Sequence, residues 1–252
     1  MLRYQSNVIS IKNTKDISKP NEDYYLCDDR YGIYVIVDGV SRDKHQGKYP
    51  NPSPAVDVSK IFVDSVYQFY LENYSSAQNI KKLLFNMAEY GNQQIQLYNT
   101  KQKWENDFLP GTVGIIGIVS ERKFCYVYIG DCSAFLVHNS KKELTHCQTK
   151  EIAKHRGQFD SKTIRNFICN NKQHPFSYGV LNGDARAKDF LEYGEVILSS
   201  GDKIFLCTDG FFDALKQVPA SEMYDMSFKE LTKHSKSTDD KTLIIVEVSK
   251  YV

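Results

Sequence analysis

The chain has no excess of either charge: Lys and Arg total 32, Asp and Glu 31, and the formal net charge is +1. A dedicated nucleic-acid binder normally carries a basic excess, so that class is disfavoured. No apolar run approaches the length of about 18 residues that a membrane-spanning helix needs. Residues Met1 to Ser10 hold no apolar core of signal-peptide length. The six cysteines (Cys27, Cys125, Cys132, Cys147, Cys169 and Cys207) include no Cys-x-x-Cys pair. Neither a zinc ribbon nor a thioredoxin-like dithiol is therefore expected. Several of them lie in apolar runs, where a thiol acts as a small hydrophobe. The six histidines form no His-x-x-x-His pair, and no serine sits in a Gly-x-Ser-x-Gly setting. Together these absences lead us to expect a cytoplasmic monomer with no membrane or nucleic-acid partner.

What is present is a succession of short β-forming runs and two long amphipathic segments. The 252 residues suffice for one large domain. Tyr24–Asp28 and Gly32–Val37 flank an Asp29–Arg30 turn and read as a hairpin. The run Ile33-Tyr34-Val35-Ile36-Val37 is apolar on both alternations, as a strand covered on both faces would be. Ser53 then Pro54 form an N-cap and first helical position, followed by Val58, Ile61, Phe62, Val66, Phe69 and Tyr70 at helical spacing. A second helical segment spans Ile80 to about Tyr98. Strands are expected at Thr112–Val119, Cys125–Ile129, Ala134–His138, Val196–Leu198, Ile204–Cys207 and Leu243–Val248, with a short helix near Phe228–His234. The stretch from about 148 to 193 is the least regular, with short helices expected near Glu151–His155 and Ser161–Cys169. No linker or repeat divides the chain, so a single domain over 1–252 is expected. Antiparallel strands around paired helices suggest helices on the outer faces of a β-sandwich.

Acidic residues recur at the ends of the apolar strands. Val35-Ile36-Val37-Asp38-Gly39 and Phe205-Leu206-Cys207-Thr208-Asp209-Gly210 each run a buried strand into Asp-Gly. A buried strand delivers its terminal carboxylate with little positional slack. The glycine lets main chain approach an ion closely, and hard cations such as Mg²⁺ or Mn²⁺ prefer oxygen ligands of this kind. Asp-Gly after one strand is by itself a common turn. Glu22-Asp23, Asp131, Asp213 and Asp239-Asp240 occupy comparable places, whereas Gly183-Asp184 and Gly201-Asp202 lack a preceding apolar run and read as turns. Convergent carboxylates repel one another unless cations intervene, and paired metals can activate water for attack on phosphorus.

The order of these elements resembles the metal-dependent serine/threonine protein phosphatases of type 2C, in a compact form like that of bacterial members. The matching residues are Asn21-Glu22-Asp23, Val37-Asp38-Gly39, Gly111-Thr112, Gly130-Asp131-Cys132-Ser133, Thr208-Asp209-Gly210-Phe211-Phe212-Asp213 and Asp239-Asp240-Lys241-Thr242. The resemblance implies an α+β fold: a four-layer αββα sandwich with two central antiparallel β-sheets flanked by helices. It implies two Mg²⁺ or Mn²⁺ ions, with room for a third, and hydrolysis of phosphoserine or phosphothreonine in a protein substrate by a metal-bridging water. In that scheme Asp38, Asp209 and Asp239 form the catalytic core. Asp38 bridges the ions, the Gly39 carbonyl joins it, and Glu22 and Asp23 hold ligand or water positions. Asp131 and Asp213 match the third site. The 148–193 stretch falls where the family carries its flap.

The chain departs from the family pattern where the phosphate would be held. The usual arginine four residues before Glu22 is Ser18, with Lys19 next. The usual Asp-Gly-x-Gly-Gly is Asp38-Gly39-Val40-Ser41-Arg42, and Val40 stands where many relatives have histidine. The arginine after Gly-Asp-Ser is Ser133. Lys19 and Arg42 are then the candidate phosphate cations. These departures leave a second reading open, a phosphatase-like module that binds a phosphoprotein or regulatory partner with little or no turnover. Two-metal nucleic-acid hydrolysis is a third, weakened by the neutral charge.

Overall fold

A computed structural model describes residues 2–40, 48–75, 79–103 and 109–250. The strands are β1 (Leu2–Ile11), β2 (Tyr24–Asp28), β3 (Ile33–Gly39), β4 (Thr112–Ser120), β5 (Lys123–Ile129), β6 (Ser133–Val137), β7 (Lys141–Glu143), β8 (Glu192–Ile197), β9 (Lys203–Cys207) and β10 (Lys241–Lys250). The helices are α1 (Pro54–Asn73), α2 (Ile80–Gln102), α3 (Lys150–His155), α4 (Ser161–Thr163), α5 (Asp209–Gln217), α6 (Ala220–Asp225) and α7 (Phe228–His234). Two five-stranded sheets result, ordered β1-β10-β9-β6-β7 and β2-β3-β4-β5-β8. Every ladder is antiparallel.

Three apolar layers hold the elements together. Tyr34, Ile36, Ile115 and Tyr126 meet Ile204, Leu206, Ile244 and Val246 between the sheets. On the outer face of the second sheet, Ile33, Val35, Val37 and Ile116 pack against Val58 and Phe62 of α1 and Leu84 and Met87 of α2. On the other side, Phe135, Phe205, Leu243 and Ile245 pack against Phe211, Leu215, Met223 and Leu231. This is the expected αββα sandwich, and it explains the continuous apolar run of β3, whose two faces belong to different layers. The Ser53 cap forms as expected: its Oγ accepts from the Ala55 amide at 3.2 Å.

The structure adds elements the sequence pattern did not mark. β1 pairs along its whole length with β10, from Leu2↔Lys250 to Ile11↔Lys241. β7 and α6 are also additional, and β8 starts at Glu192, ahead of the expected Val196. The irregular stretch consists of short helical pieces. After α3 come 3₁₀ residues Arg156–Gln158, then α4 continuing as a π-turn over Ile164–Ile168, and later a 3₁₀ helix Ala185–Phe190. Among the described residues, no helix is long and apolar enough to cross a membrane.

One cation fastens α5 to the first sheet. Lys141 Nζ donates to the carbonyls of Leu215, Lys216 and Val218 at 2.7, 2.8 and 2.7 Å. It thereby occupies carbonyls that the helix end leaves unpaired, at the negative end of the helix dipole. Lys141→Met is expected to lower stability by about 1–3 kcal/mol, read as a shift in the denaturant midpoint. An unchanged midpoint would contradict this role.

Candidate metal centre

Antiparallel pairing brings several chain segments to one end of the sandwich: the exits of β3, β5 and β9 and the entries of β2, β4 and β10. In β3, Ile33, Val35 and Val37 face the helices. Alternation therefore turns Tyr34, Ile36 and Asp38 toward the gap between the sheets. Asp38 and Gly39 close the strand at its open end, opposite Val113 and Thr112. The Thr112 hydroxyl donates to the Asp38 carbonyl at 2.7 Å. Gly39 is packed so closely that a Cβ there would lie 2.8 Å from the Glu22 carbonyl oxygen, 2.9 Å from Ser59 Oγ and 3.0 Å from the Ala55 carbonyl oxygen. Only glycine fits without displacing main chain.

Asp38, Asp131, Asp209 and Asp239 line one cleft of about 520 Å³. Burial first, and then the negative charges of Asp23, Asp209, Asp131 and Asp239, push the Asp38 carboxyl well above the usual carboxylate range. Asp131 accepts from Thr149 Oγ1 at 3.0 Å. Asp209 opens α5 directly after β9. Asp213 lies one turn further along α5, exposed, and is not among the residues lining the cleft.

The acids behind the cleft are held by dedicated donors. Glu22 is fully buried, and its Oε1 accepts from the hydroxyls of Tyr49 and Ser53. Asp23 Oδ2 accepts from Thr208 Oγ1 at 2.9 Å and Thr242 Oγ1 at 2.7 Å, while its Oδ1 is buried without a hydrogen-bond partner. Burial dominates, opposed by the two threonine hydroxyls and reinforced by the charges of Asp240 and Asp209, so the Asp23 carboxyl is pushed up to about 8.

Asp240, beside the expected ligand Asp239, proves to be the organising acid of this end. Its Oδ1 accepts from the Asn13 amide at 2.7 Å and its Oδ2 from the Glu22 amide at 3.1 Å. The apolar strand that follows offered only a weak signal, since it marks both aspartates equally. Tyr49 and Thr149 are likewise neighbours of these acids that the sequence pattern did not mark, and Ser53, expected only as a helix cap, also holds Glu22.

Lys19, expected as a phosphate cation, lies among carboxylates. Its Nζ stands 2.9 Å from Asp239 Oδ1, 3.0 Å from Asp240 Oδ2 and 3.4 Å from Glu22 Oε2. Burial pulls its pKa down, but the Asp239 hydrogen bond and the charges of Glu22, Asp239 and Asp240 outweigh it, and the net shift is upward. Arg42, the other expected cation, lies outside the described residues.

The acids fit hard cations by chemistry: carboxylates beside the Gly39 main chain, one buried carboxylate oxygen of Asp23 without a donor, and like charges facing one another. Among the described residues, no three or more His, Cys, Asp or Glu side chains stand close enough together to hold a metal ion by themselves. Mg²⁺ characteristically keeps several waters and takes one or two carboxylates, so an open acidic cleft suits it. A larger depression of about 760 Å³ adjoins this cleft, lined by Gln96, Asn99, Lys103 and Arg186 among others. It holds no comparable group of acids.

The family model described as protein phosphatase 2C matches residues 16–244. No curated protein matches the chain. Among solved structures, the catalytic domain of the serine/threonine protein phosphatase PstP in complex with two manganese ions is 14% identical; the match covers 99% of this chain and 100% of that one, with a TM-score of 0.68. PppA of Pseudomonas aeruginosa, a regulatory component of T6SS, is also 14% identical, with 98% and 100% coverage and a TM-score of 0.69. A bacterial serine phosphatase is 15% identical, with 98% and 99% coverage and a TM-score of 0.72. At these identities the structural matches speak to the fold.

Two outcomes follow for the isolated chain. Mn²⁺ at a hundredfold excess over its Kd is expected to stabilise the fold by about 2.7 kcal/mol, roughly 5–10 °C in thermal midpoint. Asp38→Asn should remove most of that shift, and an equal shift in the variant would count against a centre at Asp38. Without metal, the folded chain holds the Asp23 proton up to about pH 8 while the unfolded chain releases it in the ordinary carboxylate range. The native state thus binds more protons in this window, and stability falls as pH rises through it. The metal-free midpoint should be lower at pH 8 than at pH 6, and Asp23→Asn should reduce the difference; a pH-independent midpoint would contradict the assignment.

Proposed function

The chain belongs to the protein phosphatase 2C family, and from that membership we propose that it is a Mg²⁺- or Mn²⁺-dependent phosphatase acting on phosphoserine and phosphothreonine in proteins. The observation that carries this reading is the set of acids Asp38, Asp131, Asp209 and Asp239 on one cleft at strand ends. The binding-module alternative is not favoured, because every acid of the family's core is present in the chain.

We assign Asp38, the Gly39 carbonyl, Asp209 and Asp239 to two ions, with Glu22 and Asp23 positioning waters around them. Asp131 and Asp213 are assigned to a third ion. Bound at this place, the metals supply Lewis acidity toward the phosphoryl oxygens and lower the pKa of a water. The chain's own part is positional. Tyr49 and Ser53 fix the Glu22 carboxylate, Thr112 fixes the Asp38 carbonyl, and Thr208 and Thr242 orient Asp23. Lys19 lowers the net negative charge beside Asp239. The segment at about 148–193 acts as a flap, since its Phe159, Ser161 and Arg165 line the cleft and bound access to it. A cytoplasmic, monomeric enzyme without a nucleic-acid partner completes the proposal; its six free thiols and near-zero net charge support that setting.

Hydrolysis of a phosphothreonine peptide and of an aryl phosphate should be stimulated by Mn²⁺. Asp38→Asn and Asp209→Asn should each lower kcat at least about a hundredfold. Metal-independent turnover, or full activity in either variant, would sink the proposal; peptide binding without product would instead favour the binding module.

A further inference from the structure

The family's phosphate-holding arginine is Ser18 in this chain, and Lys19 is enclosed by Asp239, Asp240 and Glu22 with its side chain 11% exposed. A positive side chain beside the metals is then needed to grip a dianion that enters a cleft walled by Asp38, Asp131, Asp209 and Asp239. Among the described residues lining that cleft, Arg165 carries the positive charge. It lies on the π-turn Ile164–Ile168, directly after α4, and is half-buried. A guanidinium offers paired N–H donors in a planar fork that matches two phosphate oxygens, which an ammonium cannot do.

Arg165 also lines the adjoining depression of about 760 Å³, whose other lining residues include Gln96, Asn99, Lys103 and Arg186. It therefore stands on the boundary between the acidic cleft and a surface rich in hydrogen-bond donors. A phosphorylated side chain reaching the acids from that surface passes this residue.

We infer that Arg165, supplied by the flap, is the residue that holds the substrate phosphate in this chain, in place of the arginine missing at Ser18. The inference rests on the phosphatase reading of the same cleft and adds the source of its phosphate specificity. The assignment has two consequences. Phosphate holding is tied to the position of the flap, not to the sheet end. It also acts on the phosphoryl group itself, so it affects small and peptide substrates alike.

The test uses the full chain loaded with Mn²⁺. Inorganic phosphate is titrated calorimetrically into wild type, Arg165→Lys and Arg165→Ala, and KM and kcat are measured for para-nitrophenyl phosphate and for a phosphothreonine peptide. Circular dichroism and Mn²⁺ titration of each variant report whether fold and metal centre persist. Arg165→Ala is expected to weaken phosphate binding roughly tenfold or more and to raise KM for both substrates, with Mn²⁺ affinity unchanged. Arg165→Lys should fall between, because it keeps the charge and loses the fork. Unchanged phosphate affinity in Arg165→Ala would overturn the assignment, and so would a KM rise confined to the peptide. If wild type turns over neither substrate, the hydrolase reading fails, while the phosphate titration still decides the role of Arg165.

Discussion

Carboxylates crowded into a partly dry cleft repel one another, and the open end of this sandwich is built around that repulsion. Burial first, and then the charges of Asp23, Asp209, Asp131 and Asp239, push the Asp38 carboxyl well above the usual carboxylate range. Each acid needs a donor, a proton or a cation to remain there. The chain supplies donors to the innermost ones: Tyr49 and Ser53 to Glu22, Thr208 and Thr242 to Asp23, and the Asn13 and Glu22 amides to Asp240. Among the described residues it supplies the Lys19 cation on the Asp239–Asp240 side. Among the described residues, Asp38 receives none of these.

The tolerance for such crowding comes from the fold. β3 and β9 are buried on both faces, in separate apolar layers, so their ends cannot drift apart to relieve the repulsion. The β1–β10 ladder ties the two ends of the chain together along ten paired positions. Through Asp240 it also fixes the loop that carries Lys19 and Glu22. Position is thus set by long-range packing, and local hydrogen bonds refine it. The opposite wall of the cleft, which carries Phe159, Ser161 and Arg165, is made differently, from short helical turns instead of strand ends.

Much of this was legible in the sequence, for physical reasons. A strand buried on both faces has to be apolar throughout, so β3 and β9 announced themselves, and the acids at their ends stood out against that background. β1 did not, because Arg3, Gln5 and Asn7 point outward and Ser6 interrupts the inward alternation; its pairing partner lies at the opposite end of the chain. β8 begins at Glu192, ahead of its apolar end, and Glu192, Gly194 and Glu195 dilute its β signal there. Within the site, Asp239 and Asp240 look identical in sequence, yet Asp239 is exposed at the cleft and Asp240 is 3% exposed behind it. The setting of Lys19 among carboxylates and the approach of Arg165 to the cleft arise from tertiary contact alone and leave no local mark.

The account turns on whether the acids at the sheet ends share bound metal. Anomalous scattering from a Mn²⁺-soaked crystal of the full chain tests this most directly. Two peaks are predicted in the cleft, with Asp38 contacting both and Asp209, Asp239 and the Gly39 carbonyl among the surrounding oxygens. An empty cleft at saturating Mn²⁺, or ions bound only away from Asp38, would contradict it.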